Sequence, residues 1–478
     1  MRKALVYAAL LMVPIAVAGI VYAGSGGFDG ALHQAAIDGD ADGARLSLRL
    51  GANPDVVRKP PSKCPPTPNG EHWSSEPSSA LLEAVAHGHA EVAQLLLEAG
   101  ADPEFAQEDQ GTPLFAALGN GDLPLTKLLV DHGADPLAPH EYGSTPLRVA
   151  AEAGDVRLVS YLLDLGADPD QADFMGTTPL HATTRTLTYG HWEKIPVAPQ
   201  LAVTRLLVAA GADVNAAGWR ERTPVFGAAQ RGWTPLLREL VAEGADLARV
   251  DKKGVTALHL AAASGSPEST SMLLDAIGPN AETNEGRTPL HDACGAGDIV
   301  TATLLLDAGA DIDAMDAASG QPLAAAAGSG SVELLELLLS NGADIHGARP
   351  DGWTALHATV GSEGDAAARF LIESGAEVNA GDGLEPGTPL HQATARNNVE
   401  MCDLLVNSGA RLEARDGRGW TPLHVAADMG ATGQFDAARY LVAQGAQTNT
   451  VNAEGFTPAQ LARHLGYPGV AEVLSQAL

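Results

Sequence analysis

Thr-Pro-Leu, or a near variant of it, returns along this chain at an almost constant interval. The starts fall at Ser79, Thr112, Thr145, Thr178, Thr223, Thr256, Thr288, Gln321, Thr354, Thr388, Thr421 and Thr457, in steps of 33, 33, 33, 45, 33, 32, 33, 33, 34, 33 and 36 residues. Glycines that close leucine-rich stretches keep the same beat, at Gly51, Gly100, Gly133, Gly166, Gly211, Gly244, Gly278, Gly309, Gly342, Gly375, Gly409 and Gly445. A degenerate unit at Gly30-Ala31-Leu32-His33 precedes them, giving thirteen units with caps. Length alone would divide 478 residues into about three domains, but a period near 33 means units that bury their apolar faces only against one another.

Each position in the unit has a mechanical reason. Thr288 is placed to cap a helix with its hydroxyl, and Pro289 fits the first helical position, where a missing N–H costs nothing. Leu290 and the small residues after it make a narrow apolar face for close helix packing. A turn from Gly295 to Asp298 leads to a second helix carrying Leu304-Leu305-Leu306. Gly309 suits the left-handed residue that ends it, and Ala310-Asp311-Ile312-Asp313 opens an extended finger returning to the next cap.

Thr-Pro-Leu-His at 178–181, 288–291, 388–391 and 421–424, with Gly-Ala-Asp at 100–102, 133–135, 166–168, 211–213, 244–246, 309–311 and 342–344, resembles the ankyrin repeat family over residues 30–478. The resemblance implies an all-α class: a solenoid of helix–turn–helix units with β-hairpin fingers, about thirteen units including caps. The last unit, Thr457 to Leu478, lacks Gly-Ala-Asp and reads as a C-terminal cap.

Two insertions break the beat, near 56–77, with prolines at 60, 61, 65, 66, 68 and 77, and near 187–199, between two helices of one unit. Both contain His-Trp-x-x-x-Pro, at His72-Trp73 to Pro77 and His191-Trp192 to Pro196. They read as recognition loops or, more simply, as loops pinned to the scaffold by a Trp, since exposed Trp is unusual.

The first 23 residues carry an address. Arg2 and Lys3 precede an uncharged run from Ala4 to Ala23, followed by the Gly-rich spacer 24–29. Val21-Tyr22-Ala23 has small residues where a signal peptidase reads, so 1–23 is a signal peptide or, given a run long enough to span a bilayer, a signal anchor. Either way the positive end stays inside and the array is expected outside the cytoplasm, periplasmic, secreted or membrane-tethered.

Composition removes several classes of function. Fifty-nine acids against 29 bases give a net charge of −30, which argues against a nucleic-acid binder needing concentrated Lys and Arg. Three cysteines exclude a disulfide scaffold, and Cys64, Cys294 and Cys402 lie in different units, too far apart to pair. No Gly-x-Ser-x-Gly, His-Glu-x-x-His or phosphate-loop motif occurs, so the chain reads as non-catalytic and without cofactor or metal. Asp311 to Asp316 starts like a calcium loop but lacks its glycine and closing Glu. His87-Gly88-His89 lacks further ligands at zinc spacing. Seven of the fifteen histidines follow Leu at one repeat position, His33, His181, His259, His291, His357, His391 and His424. The resemblance makes them structural, bonded to the neighbouring finger's backbone.

The resemblance also implies that a partner protein meets finger tips and the exposed face of the first helices. The matching positions are Phe105, Tyr142, Phe174, Trp219, Arg220, Arg222, Lys252, Lys253, Arg287, Arg349, Trp353, Arg415, Arg418 and Trp420. Trp353 and Trp420, in Gly-Trp-Thr, are equally readable as packing residues. Fingers two to four carry an acidic patch including Glu104, Glu108, Asp109, Glu141 and Asp173, with no Lys or Arg, which fits a partner with a basic segment. The expectation is a monomeric protein-binding module that touches a membrane only through an uncleaved N-terminus. The alternatives are a secreted effector acting on another cell's proteins, an enzyme with an unrecognised site at an insertion, and a structural spacer.

Overall fold

The computed structural model describes residues 27–58, 78–105, 111–184, 197–361, 365–381, 383–385, 387–429, 433 and 435–475, with only the backbone of Glu141. The N-terminal segment 1–23, both His-Trp motifs, Cys64, Glu108 and Asp109 lie outside them. Twenty-six α-helices among the described residues form thirteen consecutive pairs, from Phe28–Asp38 with Ala41–Arg49 to Pro458–His464 with Pro468–Ser475. The chain divides into two compact units, Met1–Gly227 with Arg238–Ala245, and Ala228–Leu237 with Asp246–Leu478.

One repeat of the second unit shows why these residues make this shape. Helix Pro289–Ala296 starts at Thr288, whose backbone is extended, and buries Leu290, Ala293 and Cys294 completely. Helix Ile299–Asp307 starts at Asp298, whose carboxylate accepts N–H groups from Val300 and Thr301, and buries Ala302 and Leu305. It ends in a Schellman turn: Gly309, at φ 86°, donates to Leu306 O and Ala310 donates to Leu305 O. The buried Leu of first and second helices meet those of the next repeats, so Leu290, Leu305, Leu323, Leu338, Leu356 and Leu371 share one continuous core.

Small residues on the first helices set how closely repeats stack. In the first unit, a Cβ on Gly227 would stand 2.1 Å from Thr184 Oγ1, so only glycine fits.

The caps add to the simple expectation. In the capping box at Thr288 the hydroxyl also faces His291 Nδ1 at 2.9 Å, and the same imidazole nitrogen accepts the Thr288 N–H. His replaces the Glu of an ordinary capping box. At Thr178 and Thr256 the hydroxyl accepts the histidine's N–H as well, at 3.4 Å.

Boundaries shift in three places. The first helix begins at Phe28, inside the spacer read as 24–29, and Asp29 accepts the N–H of Asn53. Helix Val197–Ala209 takes in the last three residues of the insertion placed at 187–199, because Pro199 falls in a first turn whose N–H groups need no helical partner. The insertion near 56–77 is closed at its base by an antiparallel pair, Val57 with Ser79 and Arg58 with Ser78. The other described fingers are tight reversals, with isolated bridges such as Val250 to Thr256 and Ala348 to Thr354.

Candidate interaction site on the finger tips

Seven histidines at one repeat position tie neighbouring repeats together. Their Nε2 atoms lie 2.8–3.0 Å from the carbonyls of Ser78, Arg222, Arg287, Gly320, Gly387, Trp420 and Phe456, for His33, His181, His259, His291, His357, His391 and His424 in turn. A carbonyl only accepts, so Nε2 carries the proton and Nδ1 is left to accept. In six of the seven it takes the N–H of the capping Thr. Burial lowers the pKa of His33, His259, His291 and His424, and takes His357 down to about 4. These histidines are structural, as the resemblance implied.

Carboxylates do comparable work at the finger bases. In the first unit Asp55, Glu104 and Asp170 accept the backbone N–H of Asp102, Asp135 and Asp213, each one repeat further on. In the second unit Asn280, Asp313, Asn379 and Glu413 accept from Asp311, Asp344, Arg411 and Gln447. A second set closes each tip on itself: Asp173, Asp251, Asp316, Asp416 and Asn452 each accept two N–H groups of their own finger. Two of the acids assigned to a recognition patch, Glu104 and Asp173, are thus engaged with backbone, because a carboxylate beside an orphan N–H is held there by a charge-assisted bond. They still contribute negative charge to the surface. Asp311 and Asp313 are likewise finger residues, bonded to Asp313 N and Asp344 N.

Several basic candidates are engaged as well. Arg287 donates from Nε to Asp292 at 2.6 Å and from Nη1 to Asp316 at 2.9 Å, with 31% of its side chain exposed. Burial raises the Asp292 pKa despite Arg287; at Asp316 burial pushes up, but hydrogen bonds from Ser319 and Gly320 outweigh it. Arg349 donates to Ala318 O and Asp351, Arg415 to Gly419 O and Val451 O, and Arg418 to Asp416 while stacking 3.9 Å over Trp420. Arg287, half-buried, thus links two repeats. Trp353 is half-buried and stacks on His357 at 5.3 Å, and Trp420 is half-buried against the core. Lys252 and Lys253 are exposed; Phe105 and Arg222 are half-buried, Arg222 lying 5.9 Å over the Phe226 ring.

The most exposed aromatic residues fall on three adjacent fingers of the first unit. Phe174 is 82% exposed, Tyr142 73% and Trp219 51%, with Met175, which the sequence did not single out, at 48%. The tips adjoin one another. Phe174 N donates to Tyr142 O at 3.0 Å, a Cβ on Gly143 would lie 3.0 Å from the Phe174 ring, and one on Gly176 would lie 3.2 Å from Ala217 O. Arg220 stacks 4.0 Å over Trp219.

These tips also hold backbone strain that the others avoid. Tyr142, Arg220 and Glu221 sit at φ 62°, 59° and 65°. Glu221 fills the place where the neighbouring tip has Gly176, at φ 78°. Each costs of order 1 kcal/mol, and such strain concentrates where function needs a particular side chain.

The two remaining cysteines offer no chemistry here. Cys294 and Cys402 are buried and free, and burial pushes their thiols up to about 12 and about 11.

Comparison with known proteins agrees with this construction. A family model described as ankyrin repeats (three copies) matches residues 32–140, 81–173, 197–283, 228–316, 315–382 and 390–477. The chain belongs to the ankyrin repeat family, whose repeats are protein–protein interaction modules. It is similar to the B-cell lymphoma 3 protein homolog of Mus musculus, 37% identical over 105 residues, covering 21% of this chain and 23% of that protein. It is also similar to ankyrin repeat and SOCS box protein 3 of Homo sapiens, 35% identical over 207 residues, 42% of this chain and 34% of that one. Among solved structures, the human ASB11 ankyrin repeat domain matches at 30% identity and a TM-score of 0.42, over 47% of this chain and 99% of that one. The match spans under a quarter of the length of the first curated relatives. No helix among the described residues is long and apolar enough to cross a membrane.

Proposed function

We propose that this chain is a non-catalytic binding module displayed outside the cytoplasm, which holds a partner protein on the finger tips of its first unit. The observation that carries the reading is the exposure of Tyr142, Phe174 and Trp219 on adjoining tips, with left-handed backbone at Tyr142 and at Arg220 and Glu221 beside Trp219. Tyr, Trp and Arg are the residues on which binding energy concentrates. The scaffold beneath is fixed by histidine and carboxylate rungs, so little entropy is lost on association. The surplus of acid in these fingers suits a partner with a basic segment and acts mainly on encounter rate and orientation.

The address rests on Arg2, Lys3 and the apolar run that follows. N-terminal sequencing of the mature protein decides its form: a start at Gly24 means a released protein, an intact Met1 a tethered one. The binding reading is tested by comparing what the protein and its Tyr142→Ser/Phe174→Ser/Trp219→Ser variant retain from the extracytoplasmic fraction of the producing cell. A protein retained by the first and lost by the second is expected. Equal retention by both would place the binding surface elsewhere.

A further inference from the structure

The chemistry of the segment that the tips receive can be read from their charge and spacing. In the fingers spanning 133–144, 166–177 and 211–222, seven acids, Asp135, Glu141, Asp168, Asp170, Asp173, Asp213 and Glu221, stand against two bases, Arg220 and Arg222. Glu221, Asp135, Asp168, Asp170 and Asp213 are exposed. Aromatic faces set among carboxylates attract cations, through the ring quadrupole and through the field of the acids. The structure contains an internal instance: the Arg220 guanidinium lies 4.0 Å over the Trp219 ring. It does so from a left-handed backbone position that favours glycine, at φ 59°.

Spacing sets the register. Packed helices lie about 8–10 Å apart, so equivalent tip positions on successive repeats, such as Phe174 and Trp219, recur at about that distance. A polyproline II chain advances about 3.1 Å per residue with about three residues per turn, so its every third side chain faces the same row of tips.

Resting on the binding function proposed above, we propose that Phe174 and Trp219, with Tyr142 beside Phe174, receive a cationic segment of the partner in the polyproline II conformation, with Lys or Arg at every third residue. Successive cations lie over the Phe174 and Trp219 rings, in the negative field of these fingers. Arg220 occupies the place on Trp219 that one of those cations takes, and so competes with the partner from within the chain.

The test uses two fluorescein-labelled peptides of one composition, (Arg-Ser-Ser)4 and an isomer with its four Arg contiguous, titrated with the protein and followed by anisotropy at 150 mM salt. The spaced peptide is expected to bind at least fivefold more tightly than the isomer. Phe174→Ser weakens the spaced peptide at least fivefold without changing the thermal midpoint. Arg220→Gly tightens it at least twofold, since it frees the ring and removes a like charge, a gain that a merely structural role for Arg220 would not produce. Equal affinity for the two isomers would overturn the register, and no effect of Phe174→Ser, or weaker binding by Arg220→Gly, would overturn the site. A natural partner whose retention depends on the three tips, together with indifference to peptide register, would leave the binding function standing and remove this inference alone.

Discussion

His291 donates from Nε2 to the carbonyl of Gly320, 2.8 Å away in the next repeat, while its Nδ1 accepts the N–H of Thr288. One neutral imidazole thus closes a helix start and a repeat interface together. Replacing it by Ala leaves a buried carbonyl and a buried N–H without partners, each costing about 1–3 kcal/mol. His291→Ala is expected to lower stability by about 3 kcal/mol, read as a shift in the urea midpoint.

The same geometry sets a pH dependence. The fold holds His357 neutral, with a pKa taken down to about 4, whereas an unfolded His titrates near 6.5. The unfolded state therefore binds more protons as the pH falls. The contribution is fully present above about pH 6.5 and is lost progressively as the pH falls to about 4, roughly 3 kcal/mol for this residue. His33, His259, His291 and His424 shift in the same direction and add to the slope. Denaturant midpoints at pH 7.5, 6.0 and 5.0 should fall in that order, and the fall should be shallower in His357→Gln.

Arg287 joins two repeats through Asp292 and Asp316, whose side chains are 14% and 1% exposed. Removing the cation leaves two shielded carboxylates without their partner, a loss of about 3–5 kcal/mol. Arg287→Met should show it in the thermal midpoint. Asp292→Asn in that background should recover part of the loss, because the Asp292 carboxyl is already pushed toward its neutral form.

Tyr142 separates stability from binding. Its φ of 62° is strained for Tyr and free for Gly. Tyr142→Gly is expected to raise stability by about 1 kcal/mol, or leave it unchanged, while weakening partner binding. Stability and binding measured on the same variant check the opposite signs.

Much of this was legible in the sequence because the features are local and periodic. Thr-Pro-Leu-His fixes a cap, a first turn and an inter-repeat bond within four residues, and repetition made the reading secure. The roles of individual finger residues were less legible. Gly-Trp-Thr at 352–354 and 419–421 puts each Trp just before the cap, where the chain turns inward; Phe174 and Trp219 precede theirs by four residues, at the reversal, and point out. Glu104 and Asp173 looked like free surface charge because nothing in composition shows that a backbone N–H of the next repeat, or of the same turn, lies beside them. Met175 was missed for the same reason that Phe174 was found: only its place on the turn distinguishes it.

The most direct measurement is site-specific photocrosslinking in the producing cell. A photoreactive phenylalanine analogue is placed at Phe174, on the exposed tip row, and separately at Val300, 57% exposed on a second helix of the other unit. The account predicts one protein adduct at position 174, absent at position 300 and diminished when Tyr142 and Trp219 are replaced by Ser. The same adduct at both positions, or an adduct at 300 and none at 174, would contradict it.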